Sequence, residues 1–293
     1  MTSASVTTTL KSSRVNVHGT SNTRDLGGLP TRDGRSVRAG VLFRGETLAH
    51  PGPGVRHVAE WRDDAIEQYR ALALKTVIDL RAASESELAP SAWAEASHAR
   101  LLHIPIDEGG EGDATDYMRQ LRAGTLTEFS AEDLAAYYFR TARRRALQLG
   151  RAIREIAAPD AAPVMVHCAA GKDRTGILIA IILDVVGVPR DVVVAEYAMT
   201  SEFRPNRVAV YAEALIQAGV RPEAVSALFE APAAAMELLL NGLDVEYGAV
   251  RAFLLREAGL EDEVFAALER NLLTPDVSQS SGFADPGSGS PRG

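Results

Sequence analysis

The only cysteine among 293 residues, Cys168, stands six positions before Arg174 in the run His167-Cys168-Ala169-Ala170-Gly171-Lys172-Asp173-Arg174-Thr175-Gly176. That spacing suits a thiol aimed at a phosphate. A phosphate ester brings three oxygens that all need hydrogen bonds. A tight loop feeding a helix N-terminus turns consecutive backbone N–H groups into one concave nest, helped by the positive end of the helix dipole. Ala169, Ala170, Gly171, Lys172, Asp173 and Arg174 would form that nest, with Thr175 in the first helical turn. Gly171 supplies backbone freedom for the turn. The Arg174 guanidinium binds two phosphate oxygens in a planar fork and stays charged at physiological pH. The same dipoles and Arg174 favour a thiolate at Cys168, which would attack phosphorus in line and form a phosphocysteine. The Thr175 hydroxyl can donate to that thiolate as it departs. His167 is expected to bond backbone groups behind the nucleophile, a structural role.

Such a loop needs a strand before it and a helix after it. Pro163-Val164-Met165-Val166 reads as a short buried strand, and the apolar run from Ile177 to Leu183 is too long for a second strand, so it reads as a helix. Strands are expected at 41–44, 76–80, 101–106 and 164–166, with helices at 57–74, 131–156 and 175–186. Ser130, with Asp133 three residues later, signals the start of the second helix. After Gly187 and Pro189 the chain reads as successive amphipathic helices at 191–200, 206–218, 222–229, 233–240, 245–257 and 261–272. The pattern is an α/β fold, a mostly parallel central sheet flanked by helices, with an all-helical C-terminal part.

Composition agrees with one large core: 46% of residues are hydrophobic and 24% charged. The best apolar candidate for a membrane span, 176–188, is too short and carries Asp184. A net charge of −8 gives no support for nucleic acid as a partner. The basic run Arg140, Arg143, Arg144, Arg145, Arg151 and Arg154 reads as a solvated helix face, with substrate docking as the alternative. One cysteine and six histidines without metal-ligand spacing imply no metal, and no cofactor is expected. Residues 1–19 read as a flexible lead without secretory-signal character, 20–273 as a single domain, and the Ser/Gly/Pro-rich 274–293 as a disordered tail. The expected location is the cytoplasm, or outside the cell by export without a signal peptide. Nothing in the sequence sets the oligomeric state.

The catalytic loop resembles that of cysteine-dependent protein-tyrosine and dual-specificity phosphatases. Three further segments narrow the likeness: Asn22-Thr23-Arg24-Asp25-Leu26-Gly27-Gly28, Leu42-Phe43-Arg44-Gly45-Glu46-Thr47-Leu48, and Thr76-Val77-Ile78-Asp79-Leu80-Arg81 with Glu85 soon after. Together they look like the bacterial atypical branch typified by the mycobacterial-type tyrosine phosphatase B. The resemblance runs from about Asn22 to about Leu273. It implies a cysteine-phosphatase fold and activity on phosphotyrosine, with phosphoserine/threonine and phosphoinositides as further substrates. It also implies a helical lid over the active site, here within 203–241, where Met236, Leu238, Leu239 and Leu240 either serve the lid or pack the helical layer.

Leaving-group departure needs a proton donor, and no Trp-Pro-Asp loop is present. Three aspartates compete, in the order Asp173, Asp79, Asp107. Asp173 lies inside the cradle, where a carboxylate opposes the dianionic substrate and is therefore expected to be used. Asp79 and Asp107 each end a strand at the sheet edge where open α/β sheets bind ligands, and Asp107 precedes a glycine-rich stretch. Asp79 has a second reading, an ion pair with Arg81. Lys172 could reach extra phosphates around an inositol ring, or pair with a neighbouring acid. A catalytically silent phosphate-binding module and a sulfurtransferase using the same thiol are the alternative functions.

Overall fold

The computed structural model describes residues 3–53, 55, 58–107, 117–204 and 207–275. The elements run α1 (Ser3–Ser12), β1 (Arg24–Asp25), β2 (Leu42–Gly45), β3 (Leu48–Ala49), β4 (Ala59–Glu60), α2 (Ile66–Ala71), β5 (Thr76–Asp79), α3 (Ala83–Leu88), β6 (Arg100–His103), α4 (Tyr117–Arg122), α5 (Ala131–Arg144), α6 (Ala146–Ala157), β7 (Val164–His167), α7 (Asp173–Val185), α8 (Arg190–Phe203), α9 (Val208–Gln217), α10 (Ala233–Tyr247), α11 (Val250–Glu257) and α12 (Asp262–Leu272). A 3-10 segment at Pro222–Leu228 joins α9 to α10.

The main sheet has the order β1-β2-β7-β5-β6. β1 is antiparallel to β2, and every other pairing is parallel. The strand that delivers the cysteine is therefore central, buried along its whole length. Side chains alternate across a strand, so β7 sends Val164 and Val166 into one core and Met165 into the other. Leu42 and Ile78 join the first core, Phe43 and Val77 the second. The larger core is roofed by α5, α6, α7, α8 and α10 to α12; the smaller one is built on Trp61, Tyr69 and Trp93. Parallel strands covered on both faces are apolar throughout, as the 164–166 run indicated.

Several expectations change in the structure. The helix read at 57–74 is only α2, because the chain before it is drawn out to pair with β3: Ala59 N–H donates to Thr47 O at 2.8 Å and Trp61 N–H to Ala49 O at 2.8 Å. His57 lies outside the described residues. The long helix at 131–156 is two helices, divided at Arg145, which leaves helical geometry (φ −114°) and bonds Asp107 O through its Nε at 3.2 Å. Part of the lead at 1–19 is ordered: Ser3–Ser12 is a helix that buries Leu10 in the larger core. At the other end Leu273 bridges Val37, and Thr274 N–H donates to Ser36 O at 2.8 Å. The tail from 276 lies outside the described residues. Of the segment 203–241, Met236, Leu239 and Leu240 on α10 are fully buried in the larger core, whereas α9 buries only Leu215 and exposes Val210 and Ile216.

Candidate active site

The carbonyls of the loop that follows β7 are each bonded from behind. Cys168 O accepts from Thr47 Oγ1 at 2.7 Å, Ala169 O from Thr47 N–H at 3.1 Å, and Ala170 O from Asn22 Nδ2 at 3.1 Å. Gly171 O accepts from Asn22 Nδ2 at 3.2 Å and from the Arg44 guanidinium at 2.7 Å. In a trans peptide the C=O and the next N–H point in opposite directions. These peptides are trans, so the amides of Ala169, Ala170, Gly171 and Lys172 turn away from those donors, toward the concave side. Gly171 has φ +66°, and a Cβ there would lie 2.3 Å from Gly45 O, so only glycine fits the turn.

What holds the donors is a buried ion-pair triad. Glu196, on α8, accepts from Arg24 Nε at 2.6 Å through one oxygen and from Arg44 at 2.6 Å through the other. Arg24 also donates to Asn22 O at 3.2 Å, which orients the asparagine behind the loop. Burial pushes the Glu196 carboxyl up, but the two arginines outweigh it and hold it below the usual carboxylate range. Glu46 collects the N–H groups of Ser21 and Asn22, at 2.5 and 3.0 Å. The segments around Asn22 and Arg44, quoted above only as marks of resemblance, are thus the back wall of the loop.

His167 is fully buried. Its Nδ1 faces Cys168 O at 3.2 Å, and a carbonyl only accepts, so Nδ1 carries the proton; Nε2 then accepts from Ser91 Oγ at 2.8 Å. Burial keeps the imidazole below its ordinary pKa against the pull of Asp79. This is a neutral, structural histidine.

Arg174 receives a bidentate partner, Glu85 on α3, at 2.5 and 3.0 Å. Burial raises the Glu85 carboxyl and Arg174 more than reverses it. Asp79 supports this pair indirectly. Both its oxygens accept from Arg81, at 2.9 Å (Nε) and 2.6 Å, and Arg81 binds Ala89 O and Glu85 O in the C-terminal turn of α3. Burial opposes its ionisation, but His167 and Arg81 hold Asp79 well below the usual range. Of its two readings, the geometry matches the ion pair.

Asp173 begins α7. Its Oδ1 accepts from Lys172 Nζ at 2.6 Å and from Tyr138 OH at 2.5 Å, while its Oδ2 has no hydrogen bond among the described residues. Burial raises the carboxyl, and Lys172 followed by Tyr138 brings it below the ordinary value. Lys172 is therefore folded back onto its neighbour and buried rather than extended from a rim. The Thr175 hydroxyl is buried without a partner among the described residues. Asp107 lies 3.9 Å from Arg145 at a half-exposed position, and the glycine stretch after it is outside the described residues. The basic run is largely engaged: Arg143 with Glu246 at 3.3 Å, Arg145 with Asp107, and Arg154 with Gly259 O.

Four contributors escaped the sequence reading: Tyr138, Glu196, Tyr197 and Arg204. Glu196 and Thr200 share one face of α8 at i and i+4, with Arg204 just past the helix end, and Thr200 Oγ1 accepts from Arg24 at 3.1 Å. A carboxylate inside the apolar stretch Val192-Val193-Val194-Ala195-Glu196 was the available signal. Burial lowers the Arg204 guanidinium, against the pull of Glu46 and Asp173 and with the push of Arg207. Among the described residues no cluster of three His, Cys, Asp or Glu could hold a metal. No described helix is long and apolar enough to cross a membrane.

The family model described as the tyrosine phosphatase family matches residues 15–274. A Cupriavidus necator protein named for tyrosine-protein phosphatase activity is 29% identical over 235 residues, covering 80% of each chain. The triple specificity protein phosphatase PtpB of Mycobacterium tuberculosis is 27% identical over 276 residues, 83% of this chain and 92% of that protein. A tyrosine-protein phosphatase of Nostoc commune is 31% identical over 141 residues, 45% of this chain and 42% of its own.

Proposed function

The chain belongs to the tyrosine phosphatase family, and from that premise we propose that it hydrolyses phosphomonoesters through a phosphocysteine at Cys168. The Cys168 thiolate attacks phosphorus, the P–O bond to the leaving group breaks, and the departing oxygen takes a proton from Asp173. Water then attacks the phosphocysteine and gives its proton to Asp173. The P–S bond breaks, inorganic phosphate leaves, and the Thr175 hydroxyl donates to the returning thiolate. Ala169 to Lys172 and Arg174 hold the equatorial oxygens, with Glu85 fixing the Arg174 fork. The observation that carries this reading is the complete bonding of the loop carbonyls from behind, which aims the amides at one point.

Asp173 is favoured as the acid because one of its oxygens is anchored and the other is open. Asp79, with both oxygens on Arg81, acts instead by positioning α3 and Glu85. A bound dianion next to Asp173 raises its pKa toward that of a usable acid. Cys168 is only 2% exposed, at the floor of the loop; of the 203–241 segment read as a lid, α9, with its exposed apolar residues, is the part that fits that role. For substrate range we propose phosphotyrosine together with phosphoserine/threonine and phosphoinositides, the range that the resemblance implies; the mycobacterial relative is named a triple specificity protein phosphatase. Because Lys172 is spent on Asp173, Arg204 is the better candidate for an additional phosphate.

Rates on a phosphotyrosine peptide, a phosphoserine peptide and a phosphoinositide, with acid-quench mass spectrometry for phosphocysteine, test this reading. Absence of a Cys168 phosphoadduct, or thiocyanate production from thiosulfate and cyanide, would transfer the site to another chemistry.

A further inference from the structure

Two tyrosines from different helices meet at the proposed acid. Tyr138 on α5 and Tyr197 on α8 are fully buried, their rings edge-on at 6.0 Å. Their hydroxyls lie 2.7 Å apart, and the Tyr138 hydroxyl lies 2.5 Å from Asp173 Oδ1. A phenol has one proton. Tyr138 spends its proton on the carboxylate, so its oxygen must accept from Tyr197, and the direction of the chain is Tyr197 to Tyr138 to Asp173. Burial raises both phenols, so they remain neutral donors and never act as bases.

Packing alone does not account for these hydroxyls. Phenylalanine would fill the same volume, and a buried hydroxyl is costly unless it is bonded. Among the described residues each is bonded only within a chain that ends on Asp173. Gly176, one turn along α7, makes the room: a Cβ there would meet the Tyr197 ring at 3.0 Å.

We propose that Tyr138 and Tyr197 are positioning residues whose hydroxyls, in series, pin Oδ1 of Asp173 and leave Oδ2 to carry the catalytic proton, so that Tyr138 governs how firmly that proton is held. The inference rests on the reading of Asp173 as the acid. The charged and titratable groups facing Asp173 are Lys172 and Arg174 from the loop and α7, Tyr138 from α5, Tyr197 from α8 and Arg204 just past it. The cations and the hydroxyl donor all favour the carboxylate over the acid, while burial and the incoming phosphate dianion work the other way. Removing the Tyr138 hydroxyl deletes one of two donors on Oδ1 and strengthens retention of the proton. Removing the Tyr197 hydroxyl weakens Tyr138 as a donor, a smaller change of the same sign.

The test uses Tyr138→Phe and Tyr197→Phe in the full-length protein, with two readouts. The first is the pH dependence of kcat on a phosphoserine peptide and on p-nitrophenyl phosphate, whose leaving group needs no proton. The second is the titration of the Asp173 carboxyl carbon by NMR of protein labelled at the aspartate carboxyls, assigned with Asp173→Asn. In Tyr138→Phe the alkaline limb on phosphoserine should move up by about one pH unit, and the Asp173 titration should move with it. Tyr197→Phe should move both by less, and p-nitrophenyl phosphate turnover should barely respond. An unmoved Asp173 titration overturns the inference even if Asp173→Asn confirms the acid. A limb that survives Asp173→Asn sinks the acid assignment instead, and the NMR midpoint then still decides whether Tyr138 tunes Asp173. If Tyr138→Phe does not fold, Tyr197→Phe alone carries the test, and an unchanged midpoint there overturns the inference.

Discussion

The back and the face of the catalytic loop follow opposite rules. Behind the loop, Asn22, Arg24, Arg44, Thr47 and Glu196 form a buried network in which each side chain bonds the loop or another member, with Arg44 Nε alone of their buried polar atoms lacking a partner among the described residues. On the face, capacity is left over: Asp173 Oδ2 accepts nothing among the described residues, and the Thr175 hydroxyl is buried without a partner. An unmade buried hydrogen bond costs about 1–3 kcal/mol. A fold tolerates that where the missing partner is a substrate, and the back wall supplies the rigidity that keeps those groups in place. Face substitutions should therefore show in rate with little change in stability, and back substitutions in stability first.

The largest separation comes from Cys168→Ser. Turnover should vanish while vanadate still binds and the melting temperature stays near wild type, because the cradle is untouched. Turnover near that of the unaltered enzyme would remove Cys168 from the mechanism. Next, Asp173→Asn should cost about 10²–10⁴ in kcat on phosphoserine and much less on p-nitrophenyl phosphate. An equal loss on both substrates would mean that Asp173 shapes the cradle rather than donating a proton.

Glu196→Gln attacks the back. It leaves Arg24 and Arg44 buried with one charge too few opposite them, a destabilisation of about 3–5 kcal/mol measurable by urea denaturation. Any rate loss that accompanies it should be the same for both leaving groups. A folded, fully stable variant with a leaving-group-dependent defect would erase the distinction between back and face.

The pH profile of stability reads the back wall as well. Glu196 and Asp79 have folded pKa values below their unfolded ones, so their contribution is complete above about pH 4.5 and is lost as pH falls through that region. His167 is buried neutral with a lowered pKa, so below about pH 6.5 the unfolded chain takes up a proton that the folded one refuses, which also destabilises the fold. Melting temperature should fall gently below that point and steeply below about pH 4. A curve flat from about pH 6.5 down to about pH 4 would contradict the His167 assignment, and the lack of a steep fall below about pH 4 would contradict those of Glu196 and Asp79. The smallest effect is expected for Arg204→Ala: about a tenfold rise in KM with kcat nearly constant, larger for a substrate with a second phosphate.

The sheet and the loop were legible in the sequence because both are local. A run of buried β-branched residues, a small-residue turn and an apolar helix follow each other within about two dozen positions of Cys168, and the strand at 164–166 is the observed β7 with one residue added. The helix at 57–74 was not legible. Its apolar residues suit either period, and the choice was made by open backbone groups on β3, which lie well before it in sequence. The break at Arg145 was hidden for a related reason, since its partner Asp107 comes from another connection.

The same boundary runs through the site. The identities and spacing of Cys168, Gly171, Arg174 and Thr175 determine that the loop can bind a phosphate and present a thiol to it, because turn geometry, helix dipole and guanidinium shape act over a few residues. Which aspartate stands free was decided by the tertiary structure. Asp79 and Asp173 are both carboxylates beside arginines in the sequence. Only packing brings Arg81 onto both oxygens of the first, and Tyr138 and Lys172 onto a single oxygen of the second. The back wall was likewise decided there. Arg24, Arg44 and Glu196 come from β1, β2 and α8, separated by up to 172 positions, and they converge because charges buried in a low-dielectric interior are tolerated only when they find one another.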